Sequence, residues 1–225
     1  MTTDSELEEK RAHVRELAAE YLERGDLTGW FDALYREAEG NSEHIPWADL
    51  EPNRFFKAWA EVNGLKGNGR RALVVGCGLG DDARYLRDLG FEVTAFDISP
   101  TAIEWAKRLH ADTEIQFEVA DLFEPYRGWL GSFDFVLEVY TIQPLPMELR
   151  IKAIDAIATF VAPGGEIVVV CRGRDDDEET PQLPWPLSRA DLSRFEDSGL
   201  AAIDFSDFID DDDTRRFVVL YKRPA

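Results

Sequence analysis

Five short apolar runs, separated by helix-length stretches, restrict this chain to one kind of sheet. The runs are residues 71–77 (RALVVGC), 92–96 (EVTAF), 115–119 (IQFEV), 133–140 (FDFVLEVY) and 166–171 (EIVVVC). Helical stretches lie near 81–89, 99–110 and 144–160. Largely apolar runs of this length suit strands buried on both faces. Their alternation with helices implies βαβ units and a parallel sheet covered on both sides. Pro163, Gly164 and Gly165 read as a turn feeding the fifth strand.

The flanking segments follow other patterns. Leu7, Val14, Leu17, Ala18, Tyr21 and Leu22 share one face of a helix over 5–24, which Gly25 ends. Residues 26–52 read as irregular and carry Trp30, Phe31, Tyr35 and Trp47. A second helix spans 53–62, with Asn53 as its cap. Residues 173–187 are charged and proline-rich, which predicts a loop. Ser188 caps a helix over 189–198, and Gly199 closes it. Residues 201–209 and 215–222 flank the acidic run 210–213 and predict an antiparallel hairpin. No repeat or linker divides the chain. The expectation is one domain over 1–225, with a helical and aromatic cover (1–62) on a core (70–225).

Composition narrows the function classes. Forty-five Asp and Glu against 25 Lys and Arg give a net charge of −20. A phosphate backbone is repelled by such a chain unless a basic patch intervenes, and none is evident, so nucleic acid and anionic membranes are not expected partners. No apolar run reaches the roughly 20 residues that cross a bilayer. The polar, acidic start MTTDSELEEKRAH is unlike a signal peptide, so a cytoplasmic location is expected. Cys77 and Cys171 form no CxxC pair, and the three histidines are scattered, so no metal site is expected. The two cysteines end the first and fifth strands. With one strand between them they stand roughly 10 Å apart at ~4.8 Å per strand, beyond the ~7 Å reach of a disulfide.

The strongest chemical signal is the loop Gly76-Cys77-Gly78-Leu79-Gly80 between a strand and a helix. Glycines allow close backbone approach to a ligand, and the helix start offers free N–H groups to an anionic moiety. Asp97 ends the next strand, 17 residues beyond Gly80. A carboxylate there suits both hydroxyls of an adenosine ribose; its alternative is a helix cap, for which Ser99 is better placed. Asp121 follows the third strand. It either accepts from an adenine amino group, with Leu122 donating its N–H, or caps a turn. The spacing is GxGxG, not the GxGxxG of a nicotinamide fingerprint, because Asp stands where the third glycine belongs. A terminal hairpin is likewise foreign to a doubled dinucleotide fold.

The segments VVGCGLG, AFDIS, VADLF, FDFVLEVY and APGGEIVVV, in this order, resemble the successive motifs of class I S-adenosylmethionine-dependent methyltransferases over residues 70–172. The resemblance implies a Rossmann-like α/β fold, with a mostly parallel seven-stranded sheet in the order 3-2-1-4-5-7-6. It implies that Gly76, Cys77, Gly78 and Gly80 line the methionyl part of the cofactor. Asp97 with Ile98 would take the ribose, and Asp121 with Leu122 the adenine. Val74 stands where the family often has an acid. The segment RALVVGCGLGDD is similar to the thiol, halide and thiopurine branch, as is Pro46-Trp47 with Pro52, although Ala48 replaces an Asp and TIQPLPMELR lacks two phenylalanines.

Acceptor residues are expected in loops at the carboxyl ends of strands. Glu138, Tyr140 and Gln143 lie in or after strand four, and Arg172 after strand five. Glu138, a carboxylate in an apolar strand, needs a partner or a role; cofactor contact and catalysis are its candidates. Tyr140 holds substrate, acts as acid or base, or packs. Arg172 holds an anionic acceptor or pairs with the acidic loop 175–179. Trp30 and Trp47 cover the sulfonium by cation–π contact or form a lid core, and Tyr21 joins the substrate side. The expected function is methyl transfer from S-adenosylmethionine, without metal, to a small molecule, with a thiol or other soft nucleophile preferred. N- or O-methylation is the alternative, and a non-catalytic S-adenosylmethionine-binding module is the alternative of another class. A monomer or homodimer is expected.

Overall fold

The computed structural model describes residues 4–180 and 182–225. The amino-terminal segment is helical: α1 (Asp4–Glu23), α2 (Gly29–Glu37) and α3 (Arg54–Val62). Then come β1 (Arg71–Val75), α4 (Asp81–Asp88), β2 (Glu92–Asp97), α5 (Pro100–Leu109), β3 (Gln116–Val119), β4 (Phe133–Val139), α6 (Met147–Phe160) and β5 (Val161–Arg172). The short helices α7 (Arg189–Leu192) and α8 (Arg194–Asp197) precede the hairpin β6 (Ala201–Ile209) and β7 (Arg215–Lys222).

The sheet order is β3-β2-β1-β4-β5-β7-β6. The first five strands run parallel, and β7 is antiparallel to β5 and β6. Side chains alternate between faces. Leu73, Val75 and Val136 pack under α6 in one cluster, while Ala72, Val74 and Phe135 pack with Phe56, Leu86 and Ile103 in another. Both faces are dry, which explains the near-continuous apolar runs. Caps set several starts. Asn53 accepts from Phe55 and Phe56 N–H groups, Ser99 from Ala102, and Ser188 forms a capping box with Asp191.

Three expectations need correction. Residues 26–52 are not irregular throughout: α2 forms there because Trp30, Ala33, Leu34 and Tyr35 fall on one buried face. The helix over 189–198 is two short pieces broken at Ser193. The fifth strand starts at Val161, because Val161 pairs with Phe133 before a register shift that absorbs the PGG segment.

A third apolar cluster joins Val14, Leu17 and Ala18 of α1 with Trp30, Leu34 and Tyr35 of α2, and reaches Leu79, Ala102 and Trp105. The amino-terminal helices are thereby seated over the glycine loop and α5. Among the described residues no helix is long and apolar enough to cross a membrane.

Candidate functional site

The parallel register brings the carboxyl ends of β1, β2 and β4 level: Val75 lies beside Phe96 and Glu138. The chain leaves β1 through Gly76 and Gly78, with φ of 59° and 51°. A Cβ on Gly76 would stand 2.5 Å from Thr141 Oγ1, and one on Gly78 2.9 Å from the Tyr35 hydroxyl. Only glycine fits both conformation and space. Asp97 fastens this turn. Its Oδ2 accepts from Gly78 N–H and its Oδ1 from Ser99 N–H, both at 2.9 Å. Burial pushes its pKa up.

These strand ends open into a cavity of about 730 Å³. Trp30, Trp47, Gly76, Cys77, Gly78, Asp97, Ile98, Asp121, Leu122, Tyr140, Gln143 and Arg172 all line it. The floor beside β2 and β3 is acidic, with Asp97 and Asp121, and Asp81 and Asp82 add to it from the start of α4. Asp82 accepts from Asn53 N–H at 2.7 Å, and burial raises its pKa to about 7. The opposite wall is basic. Tyr140 has φ of 59°, an uncommon backbone for a tyrosine. Its hydroxyl accepts from Arg216 Nη1 at 3.2 Å, and Arg216 Nε donates to Asp210 at 2.6 Å. Gln143 Oε1 accepts from the backbone N–H of Arg172 at 2.9 Å. Trp47 Nε1 donates to the Tyr35 hydroxyl at 3.0 Å.

Three proposed site residues lie elsewhere. Gly80 does not line the cavity; it caps α4 with φ of 88°, and a Cβ there would strike the Phe117 ring. Tyr21 packs on the outside of the third cluster beneath the Arg24 guanidinium, 4.4 Å from its ring. Glu138 is 0% exposed and sits behind the wall. Its Oε1 accepts from Thr141 and Ile142 N–H groups at 2.6 and 3.0 Å and so pins the turn that carries Tyr140. Trp185, in the loop after β5, lies beneath the Arg150 guanidinium, which stands 5.6 Å from its ring.

Sequence reasoning missed Arg11, Thr141 and Arg216. Arg11 had a signal: it falls between Leu7 and Val14 on the apolar stripe of α1, where a charge is out of place. Cys77 and Cys171 are free, and burial raises both thiols. Among the described residues no three His, Cys, Asp or Glu side chains are grouped to hold a metal.

Glu138 makes a stability prediction. Burial raises its pKa to about 7, from 4.5. The folded protein thus keeps a proton that the unfolded chain loses. The contribution is full below pH 4.5 and is lost as the pH rises toward 7. Glu138→Gln keeps the acceptor oxygen and removes the titration. It should flatten the fall in stability across this window and exceed wild type at pH 8 by about 1–3 kcal/mol. Urea unfolding at several pH values checks this; an unchanged slope would reject it.

Residues 72–165 match the family described as methyltransferase domain. A 2-heptyl-1-hydroxyquinolin-4(1H)-one methyltransferase of Mycobacteroides abscessus is 28% identical over 172 residues, 74% of each chain. A ubiquinone biosynthesis O-methyltransferase of Burkholderia multivorans is 30% identical over 62% of this chain and 59% of its own length. Among solved structures, a 1,6-didemethyltoxoflavin-N1-methyltransferase of Burkholderia thailandensis, with S-adenosylhomocysteine bound, has a TM-score of 0.67 at 16% identity, covering 87% of this chain and 86% of its own. The sheet order and the domain match over 72–165 are those of class I S-adenosylmethionine-dependent methyltransferases. These relatives' names do not include the thiol, halide and thiopurine branch.

Proposed function

We propose that this enzyme methylates an oxygen of a small hydroxylated aromatic molecule. The observation that carries the reading is the undivided cavity. It joins the glycine turn and Asp97 to a wall of Tyr140, Gln143 and Arg172, and no histidine is among its lining residues. The relatives named for quinolone and ubiquinone methylation favour oxygen over sulfur. When bound, the cofactor supplies an electrophilic methyl. Asp97 holds the ribose, Asp121 and the Leu122 N–H the adenine, and Gly76 and Gly78 admit the methionyl chain. Trp30 and Trp47, from the cover over 1–62, exclude water. Tyr140 orients the acceptor, and without a histidine base the acceptor's own ionisation sets the rate.

The test is transfer of labelled methyl from S-adenosylmethionine to phenols, N-hydroxy heteroaromatics, amines, thiols and halides side by side. Transfer to hydroxyl groups, with a pH profile that tracks the acceptor, is expected. Tyr140→Phe should lower kcat by about 10-fold, the worth of one hydrogen bond, and leave cofactor affinity unchanged. Activity confined to thiols or halides would overturn the oxygen reading.

A further inference from the structure

The arginines around the cavity differ in their partners. Arg216 is neutralised by Asp210, Arg54 by Asp210 and Asp212, and Arg15 by Glu8. The guanidinium groups of Arg172 and Arg11 make no hydrogen bond or ion pair among the described residues, though both line the cavity. Arg172 is half-buried at the end of β5. Burial, then the like charges of Arg216 and Arg11, work against its protonated form, with weaker support from Tyr140 and Asp210. Glu8, already paired with Arg15, also attracts Arg11 and Arg172 without bonding to either. In a chain of 45 acids, the unpaired guanidinium groups within one cavity are costly unless a ligand completes them.

Their position says which ligand. Across β4, Arg172 stands two strands from β1, about 10 Å at ~4.8 Å per strand. The acids Asp97 and Asp121 occupy the β2 and β3 side. The cavity is therefore polarised, with its spare positive charge beside Tyr140 and away from the ribose carboxylate. We infer that Arg172 and Arg11 bind the methyl acceptor as an organic oxyanion. This rests on the proposed methyl transfer to oxygen and adds the charge of the substrate. The oxyanion is either a carboxylate that the acceptor carries or its own ionised hydroxyl; a guanidinium fork serves both.

Two pairs of probes, titrated calorimetrically at pH 8 into S-adenosylhomocysteine-loaded protein, separate these sources. The pairs are 2-hydroxybenzoate with 2-hydroxybenzamide, and 4-nitrophenol with 4-methylphenol. In at least one pair the anion should bind about 10-fold or more tightly than its neutral partner. Preference in the first pair assigns a carried carboxylate, and in the second an ionised nucleophile. Arg172→Gln should reduce the preference to within about 2-fold, and Arg11→Gln should reduce it less. Equal binding of anion and neutral partner, binding of neither in both pairs, or a preference that survives Arg172→Gln would overturn the inference. Loss of S-adenosylhomocysteine affinity in Arg172→Gln, with the anion preference intact, would also overturn it by assigning the arginine to the cofactor. Methyl transfer measured on the same molecules keeps the two readings apart. Oxygen methylation of neutral acceptors, unaffected by Arg172→Gln, leaves the reaction standing without the anion site. Anion preference with no methyl delivered to oxygen does the reverse.

Discussion

Asp97→Ala is expected to weaken S-adenosylhomocysteine binding by roughly 10- to 150-fold, or about 1.5–3 kcal/mol. The residue acts in two ways. Its carboxylate faces the cavity, where it is 8% exposed, and in the proposed role it accepts from a pair of ribose hydroxyls. It also holds Gly78 N–H and Ser99 N–H, so it shapes the turn that must approach the ligand. Removing it costs both the contact and the order of the turn. Asp97→Asn keeps an acceptor oxygen and should fall between the two. Calorimetry on folded protein, checked by circular dichroism, gives the answer. Unchanged affinity in a folded Asp97→Ala variant would remove the residue from the site.

Deleting residues 1–24 is expected to cut kcat/KM by roughly 100-fold or more, through lost orientation and water entry. The deletion takes Leu7, Arg11, Val14 and Arg15 from the cavity wall. It also strips Val14, Leu17 and Ala18 from the cluster that seats Trp30 and Tyr35 over the glycine turn. The two clusters on the faces of the sheet contain no residue of α1. Cooperative unfolding should therefore persist while turnover collapses. Steady-state kinetics with S-adenosylmethionine and urea unfolding of the same protein test this. Full activity after truncation would show that the amino-terminal helix is not a cover.

The sheet was legible because its central strands are buried on both faces, and such strands are apolar without interruption. The helix caps at Asn53 and Ser188 were legible because they are local chemistry. Asp97 was legible from spacing along one βαβ unit. The misreadings have physical causes. Aromatic density in 26–52 hid the buried face of α2. The aim of a strand-end side chain is not written in sequence. Glu138 shares a parity with Val136, on the face under α6, and the turn after β4 curls back over its carboxylate. The third glycine of the GxGxG loop looks like its neighbours but serves the start of α4. Arg216 reaches the cavity only because β7 inserts antiparallel between β5 and β6, and its importance emerges only with that topology.

Thr141 has a wider consequence. Its hydroxyl donates to the Val75 carbonyl at 2.9 Å and fills the space that a Gly76 side chain would take, while its own N–H is held by Glu138. The turn after β1 and the turn after β4 therefore cannot shift independently. Whatever rearrangement a ligand imposes on one is felt by the other, so the two halves of the cavity are thermodynamically linked. Linkage is reciprocal: the factor by which an occupied glycine turn alters affinity at Tyr140 and Arg172 must equal the factor in the opposite direction. A single small hydroxyl between two loops thus ties affinity on one side of the cavity to occupancy on the other.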